Sequence, residues 1–317
     1  MSVCKIARRM KAFETLFQLP GESIVSNIQA TKGLNAMLCR IGDVEVWRIL
    51  EIHAPFMKPE ELFPTAGPDV KAAIESLAPG SIDHNSGRLI LPIQGFLLKT
   101  PSHNILVDSC VGNDKTNLNH QAWHQRSDDR FIAALKAADL GTDEIDYVLC
   151  THLHVDHIGW NTQLKDGRWV PTFPNARYLL PKDDEETQRL QNSITYVESV
   201  LPVVEAGQVE LVEAGHKLGD HVTLFPTPGH TPGHVSVLVK SRGDEALITG
   251  DALHTTAQCK HPDWHFKFDS DAELAVKSRR LLLEHCSETS CLVLGSHFSL
   301  PSIGHVKADN DSFRWDE

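Results

Sequence analysis

Four side chains able to bind a metal ion are packed into the segment Thr151-His152-Leu153-His154-Val155-Asp156-His157. Imidazole nitrogens and carboxylate oxygens are the donors that zinc and related divalent ions accept. The segment follows the apolar run Tyr147–Cys150, which reads as a short strand. Alternate residues of an extended chain share a side, so the His-x-His spacing sends two imidazoles toward one point. Asp156 and His157 then turn toward a second. A surface turn merely rich in histidine is the competing explanation, and four donors at this spacing argue against it. Three other segments repeat the same local grammar. Pro228-Gly229-His230-Thr231-Pro232-Gly233-His234 follows the strand-like Val222–Phe225, Thr249-Gly250-Asp251 follows Ala246–Ile248, and Gly295-Ser296-His297 follows Cys291–Leu294. Each sets a His or Asp just beyond an apolar strand.

The elements that must position these residues alternate between strand and helix. Val44–Leu50, Arg88–Leu98 and Asn104–Asp108 have β-like alternation or β-branching, as do Arg177–Leu180, Val235–Val239 and Ala246–Thr249. Ser127–Leu140 carries apolar residues at helical spacing, and helices are expected at Lys182–Glu198 and Asp271–His285. Pro55 to Ser86, rich in Pro and Gly, reads as a long excursion over the surface. The pattern predicts an α/β layered domain over residues 41–317, with ligands bound beyond the strand ends. Residues 1–40 read as an N-terminal arm with a helix-compatible stretch, Ile6 to Leu16. The arm's apolar residues, Phe13 and Phe17 among them, raise the expectation of a homodimer.

Composition narrows the function classes. A chain of 317 residues with net charge −12 repels phosphate backbones, so nucleic acid is not an expected partner; a small molecule is. No stretch approaches the run of about 20 apolar residues that a membrane span needs. The N-terminus has basic residues but no apolar block behind them, so a secretory signal is not expected. Seven cysteines at irregular spacings, without a Cys-x-x-Cys, suit reduced thiols and a cytoplasmic location.

With its His-x-His-x-Asp-His segment followed by a His, an Asp and a His, the chain resembles the metallo-β-lactamase superfamily from about Val44 to His297. The resemblance implies a four-layer αβ/βα sandwich, an α/β fold with the site at one edge of two sheets. It implies two divalent metal ions, zinc first, with manganese, cobalt or iron as alternatives. His152, His154 and His230 would hold one ion, Asp156, His157 and His297 the other, and Asp251 would bridge them. Two such ions outweigh the charge of two carboxylates and a hydroxide, which favours an anionic transition state, and they generate hydroxide at neutral pH. The implied activity is hydrolysis of an ester, lactone or phosphotriester. Gly95-Phe96-Leu97-Leu98, Val107-Asp108-Ser109-Cys110 and Phe268-Asp269-Ser270-Asp271 resemble the branch that holds methyl parathion hydrolase and acyl-homoserine lactonases. The lactonases of that branch are expected to carry a pocket tyrosine. Tyr147, Tyr178 and Tyr196 all fall in expected strands or helices, which sets ester or phosphotriester hydrolysis ahead. An iron oxidoreductase and a non-catalytic binding protein are the readings from other classes.

Asp156 and Asp251 are the expected catalytic carboxylates. His254, three residues past Asp251, is a candidate to bind or protonate a leaving group, or else a core or surface histidine. His234 reads as a support for the site rather than a ligand. Asp108 is either such a support or a strand-end cap. Trp160 is a candidate pocket residue because it adjoins the metal loop.

Overall fold

The computed structural model describes residues 35–317. The expected helix Ile6 to Leu16 and the apolar residues behind the homodimer expectation lie outside them. The first sheet runs in the order β1 (Met37–Ile41), β2 (Val44–Pro55), β3 (Ile90–Lys99), β4 (Asn104–Val107), β5 (Tyr147–Leu149), β8 (Arg177–Pro181) and β9 (Val209–Val212). Between β5 and β8 lies a separate hairpin, β6 (Thr162–Lys165) with β7 (Arg168–Pro171). The second sheet runs in chain order: β10 (Lys217–Leu218), β11 (Val222–Pro226), β12 (Val235–Ser241), β13 (Asp244–Ile248), β14 (Leu292–Leu294), β15 (Ile303–Asp309) and β16 (Ser312–Asp316). Pairing is parallel from β4 through β9 and between β13 and β14, and antiparallel elsewhere.

Strand periodicity sorts the side chains into layers. Phe96 and Leu98 of β3 with Ile105 and Val107 of β4 face Val237 and Val239 of β12 across one apolar layer between the sheets. Their alternates, Leu97 and Leu106, join Phe131, Leu135 and Ile74 under the helices Arg130–Ala137 and Val70–Leu77. On the far side, Leu238, Leu247 and Val293 pack against Leu282 and Leu283 of the long helix Ala272–Thr289. Helix, sheet, sheet, helix: this is the four-layer sandwich of the metallo-β-lactamase fold.

Several expected boundaries shift. Met37–Ile41 pairs with β2, so strand structure begins before residue 41. The expected helix Lys182–Glu198 is broken: Lys182–Gln191 ends at Asn192 in the left-handed conformation, and Ser193 caps a new helix, Ile194–Ser199, by accepting from Tyr196 N at 3.1 Å. The stretch from Pro55 to Ser86 is more than a surface excursion. It holds helices Pro59–Leu62 and Val70–Leu77, and Leu62, Phe63, Val70 and Ile74 are buried.

Two strand-end loops are laced together beneath the site. Ser109 N donates to His157 O at 2.6 Å, Gly159 N to Cys110 O at 2.7 Å and Trp160 N to Ser109 O at 2.9 Å. The approach is so close that a Cβ on Gly159 would fall 1.7 Å from Val111 O. Gly159→Ala is therefore expected to part the loops and cost at least about 1–3 kcal/mol of stability, as overpacking does. Denaturant unfolding with the metal content of the same samples checks this; an unchanged midpoint would mean that the loops separate freely.

Candidate metal centre

The strand ends deliver their donors to one place. His152 and His154 follow the end of β5, and His154, in extended backbone, precedes the single helical turn Val155–Ile158, which carries Asp156 and His157. His230 comes from the loop between β11 and β12, Asp251 from the turn after β13 and His297 from the loop after β14. The donor atoms form two groups, His152, His154, His230 and Asp251 in one and Asp156, His157 and His297 in the other, with the atoms of each group within 4.8 Å of one another. All seven ligands expected from the sequence are thus brought together.

Asp251 stands between the groups. Its Oδ2 lies 3.2 Å from His230 Nε2 and 3.8 Å from His152 Nε2, while Oδ1 lies 3.0 Å from His297 Nε2 and 3.1 Å from His157 Nε2. Asp156 Oδ2 is 3.7 Å from His297 Nε2 and 3.8 Å from His157 Nε2. Neither His152 Nε2 nor Asp251 Oδ1 has a hydrogen-bond partner, although both are buried. Metal-binding atoms this close, two of them buried with no hydrogen-bond partner, fit cations placed between them better than a network closed on itself.

The outer ring nitrogens set the tautomers. His157 Nδ1 donates to Asp108 Oδ2 at 2.9 Å, His230 Nδ1 to Asp269 Oδ1 at 2.9 Å, and His297 Nδ1 to Pro92 O at 2.8 Å. Thr151 Oγ1 donates to Asp108 at 2.8 Å, so its lone pair receives His152 Nδ1 at 3.1 Å. Each of these rings keeps the Nε2 lone pair inward, the arrangement a metal-binding histidine needs. Burial holds His152 and His154 below the ordinary imidazole range, His154 at about 3, with neighbouring rings adding to the effect. Neutral imidazoles are ready ligands. Burial also opposes charge on His230 and His157, but Asp251 with Asp269 lifts His230 to about 9, and Asp251 with Asp108 raises His157. Those two rings release protons when they bind a cation.

The remaining candidates divide. His234 is a support: its Nε2 accepts from Asp251 N at 2.8 Å and its Nδ1 bonds Thr227 Oγ1 at 2.8 Å. Gly250 makes room for it, with φ of +53° and no space for a Cβ, which would lie 2.7 Å from His234 Nε2. Asp108 supports the site through Thr151 and His157. His254 faces the cavity, 3.1 Å from Asp251 Oδ2, stacked on Phe266 at 3.3 Å between ring centroids. Trp160 does not line the cavity. Its indole donates to Glu51 at 2.7 Å and stacks on Phe131, so its neighbours hold it in the core.

A cavity of about 710 Å³ opens over the two groups. One wall is a run of rings: Phe266 lies 5.6 Å from Phe268, Phe268 lies 6.4 Å from Phe56, and Phe56 stacks with Trp123 at 5.3 Å and His120 at 4.9 Å. Asn117, Asn119, Gln188 and Gln191 also line it. Phe56, His120 and Trp123 were invisible as site residues in the sequence because they belong to no motif. None of the three tyrosines lines the cavity; Tyr178 and Tyr196 bond Asn161 O and Glu185 instead.

Known proteins share this fold. The profile of the metallo-β-lactamase superfamily matches residues 88–284. An N-acyl homoserine lactonase of Bacillus sp is 29% identical over 241 residues, covering 72% of this chain and 88% of that protein. The N-acyl homoserine lactonase of Bacillus cereus is 27% identical over 240 residues, again with 72% and 88% covered. Among solved structures, the dizinc quorum-quenching lactonase AidC superposes with a TM-score of 0.74 at 21% identity, over 89% of this chain and 97% of that one. The hydrolase AbOPH gives 0.73 at 23% identity, over 91% and 98%. The chain belongs to the metallo-β-lactamase superfamily, and it is a metal-dependent hydrolase of that group. Among the described residues no helix is long and apolar enough to cross a membrane.

Asp108→Asn keeps the size of the side chain but weakens its grip on His157 and Thr151. Metal affinity is expected to fall about 10- to 100-fold, as for other residues that orient a ligand. Competition with a coloured chelator measures it, and an affinity equal to the unaltered protein would remove Asp108 from that role.

Proposed function

We propose that the chain is a dinuclear metal hydrolase that opens lactones and related carboxylic esters of apolar acyl compounds. The observation that carries this is Asp251, a buried carboxylate whose two oxygens face two different groups of ligands. His152, His154 and His230 would hold one ion, Asp156, His157 and His297 the other, and Asp251 both. Zinc suits a set of imidazoles and carboxylates. Two such ions, when bound, supply a water acidified enough to attack at neutral pH and a Lewis acid for the carbonyl oxygen.

The chain's own residues do the rest. The aromatic wall receives the apolar part of a substrate, and the amides of the cavity receive its hydrogen-bonding part. Curated relatives that are N-acyl homoserine lactonases support a lactone carrying an amide-linked acyl chain, and we place phosphotriesters second. His254 takes the position from which a departing oxygen can be met. Its Nδ1 is buried without a partner, and its ring is held flat against Phe266 beside Asp251. A cytoplasmic, reducing setting is supported by the free thiols of Cys39, Cys110, Cys150, Cys259, Cys286 and Cys291.

Purified protein assayed against N-acyl homoserine lactones, aryl esters and phosphotriesters tests the substrate reading. Lactones are expected to have the highest kcat/KM; a preference for phosphotriesters would overturn that part. Asp251→Ala is expected to abolish turnover and release at least one of two bound ions, and two retained ions with normal turnover would refute the dinuclear arrangement. His254→Ala should slow esters with poor leaving groups by about 100-fold, and activated aryl esters far less, since proton donation matters most to a basic departing oxygen. Equal losses on both would assign His254 to structure alone.

A further inference from the structure

Arg279 lies in the middle of the helix Ala272–Thr289, fully buried, and it is not part of any ligand motif. Its guanidinium reaches three separate stretches of chain. Nε donates to Ala252 O at 2.8 Å, one residue past Asp251. One terminal nitrogen, Nη1, donates to Pro262 O at 2.7 Å and to Trp264 O at 2.8 Å, at the root of the segment carrying Phe266. The other, Nη2, lies 3.7 Å from Asp269 Oδ2. The side chain of Asp269 is itself buried, accepts from Phe266 N at 3.0 Å and holds His230 Nδ1 at 2.9 Å.

We propose that Arg279 is a positioning residue of the metal centre, a planar strut that fixes Asp251, His230 and the Phe266–His254 stack relative to one another. The inference rests on the dinuclear reading above. The planar fork of a guanidinium presents donors in fixed directions, whereas a lysine ammonium offers a compact point charge on a flexible stem. The points that Arg279 joins all lie in the segment 252–269 that links Asp251 to the helix, so one side chain braces that whole segment from within. Burying a guanidinium is costly unless it is compensated; here Nε and Nη1 donate to three backbone carbonyls, while Nη2 has no hydrogen bond and faces the Asp269 carboxylate through charge alone. The helix is anchored to the same place by other contacts. Ser278 Oγ donates to Pro228 O at 2.6 Å, and a Cβ on Gly229 would strike Ala275 N at 2.2 Å. With the helix so fixed, the guanidinium's position is fixed too, and the centre is built against it.

The test compares Arg279→Lys and Arg279→Gln with the unaltered protein, in zinc affinity, steady-state kinetics and the d–d absorption of the cobalt-substituted forms. Both variants are expected to fold, with circular dichroism like the unaltered chain. Zinc affinity should drop about 10- to 100-fold, the range for residues that orient ligands. kcat should fall by a comparable factor while KM moves little, and the cobalt bands should shift because the angles at His230 and Asp251 change. Asp269→Asn should shift them too, and combining it with Arg279→Lys should give less than the product of the two losses. Variants that melt at lower temperature yet keep the zinc affinity, kcat and cobalt spectrum of the unaltered protein would overturn the proposal. So would variants that fail to fold, which would assign the guanidinium to the fold as a whole. An unaltered protein that binds no divalent ion would sink the dinuclear reading along with the strut. Two bound ions with indifferent variants would sink the strut alone.

Discussion

A carboxylate taken out of water is costly to keep ionised unless cations or donors surround it on all sides. Asp251 is buried, and its oxygens are ringed by the nitrogens of His152, His157, His230, His254 and His297. Those five rings come from four loops at the ends of strands in both sheets. The carboxylate is thus the point at which the two sheets meet chemically, and burial, which by itself would raise its pKa, is outweighed by the imidazoles that hold it well below the carboxylate range. Divalent cations between the groups complete the same balance. The demand for compensation of one buried charge accounts for how closely the loops must approach.

That approach is achieved in the backbone. Gly159 lies against Val111, and Gly250 against His234, at separations no side chain could share. Asp108 and Cys110 adopt the left-handed conformation, with φ of 59° and 51°, as the chain leaves β4 and turns under His157. Strain of this kind persists only where surrounding contacts over-determine it. Here the loop is held by Thr151 N, Thr151 Oγ1 and His157, all bonded to the Asp108 carboxylate. Backbone shape and ligand orientation are therefore one problem with one solution.

The clustering of the candidate ligands was legible in the sequence because each sits within a few residues of an apolar strand, so local pattern and final position coincide. His152, His154, Asp156 and His157 share one segment, and His230, Asp251 and His297 each follow a strand that the pattern also marks. Legibility stops where a role depends on distant chain. Asp269 serves His230 across 39 residues, and Arg279 reaches Ala252 across 27, separations at which no periodicity links the partners. Trp160 misled for the converse reason. It adjoins the metal loop in sequence, but Glu51 and Phe131, far away in the chain, turn it into the core. The helix break at Asn192 was written locally, as a left-handed stop followed by a serine cap, and continuous polar spacing on either side concealed it.

The same division separates chemistry from selectivity. The candidate metal ligands leave strand ends, which the two sheets hold rigidly, whereas the cavity wall is assembled from Phe56 at the edge of β2, His120 and Trp123 in the stretch between β4 and β5, and Phe266 and Phe268 before the long helix. Loops of this kind accept substitution more readily than sheet ends do. Changes in the wall can alter what the cavity admits while Asp251 and its imidazoles stay in place. The exception is Phe266, because its ring carries His254 and its amide is held by Asp269. Through that residue, a change in the wall reaches the reacting centre.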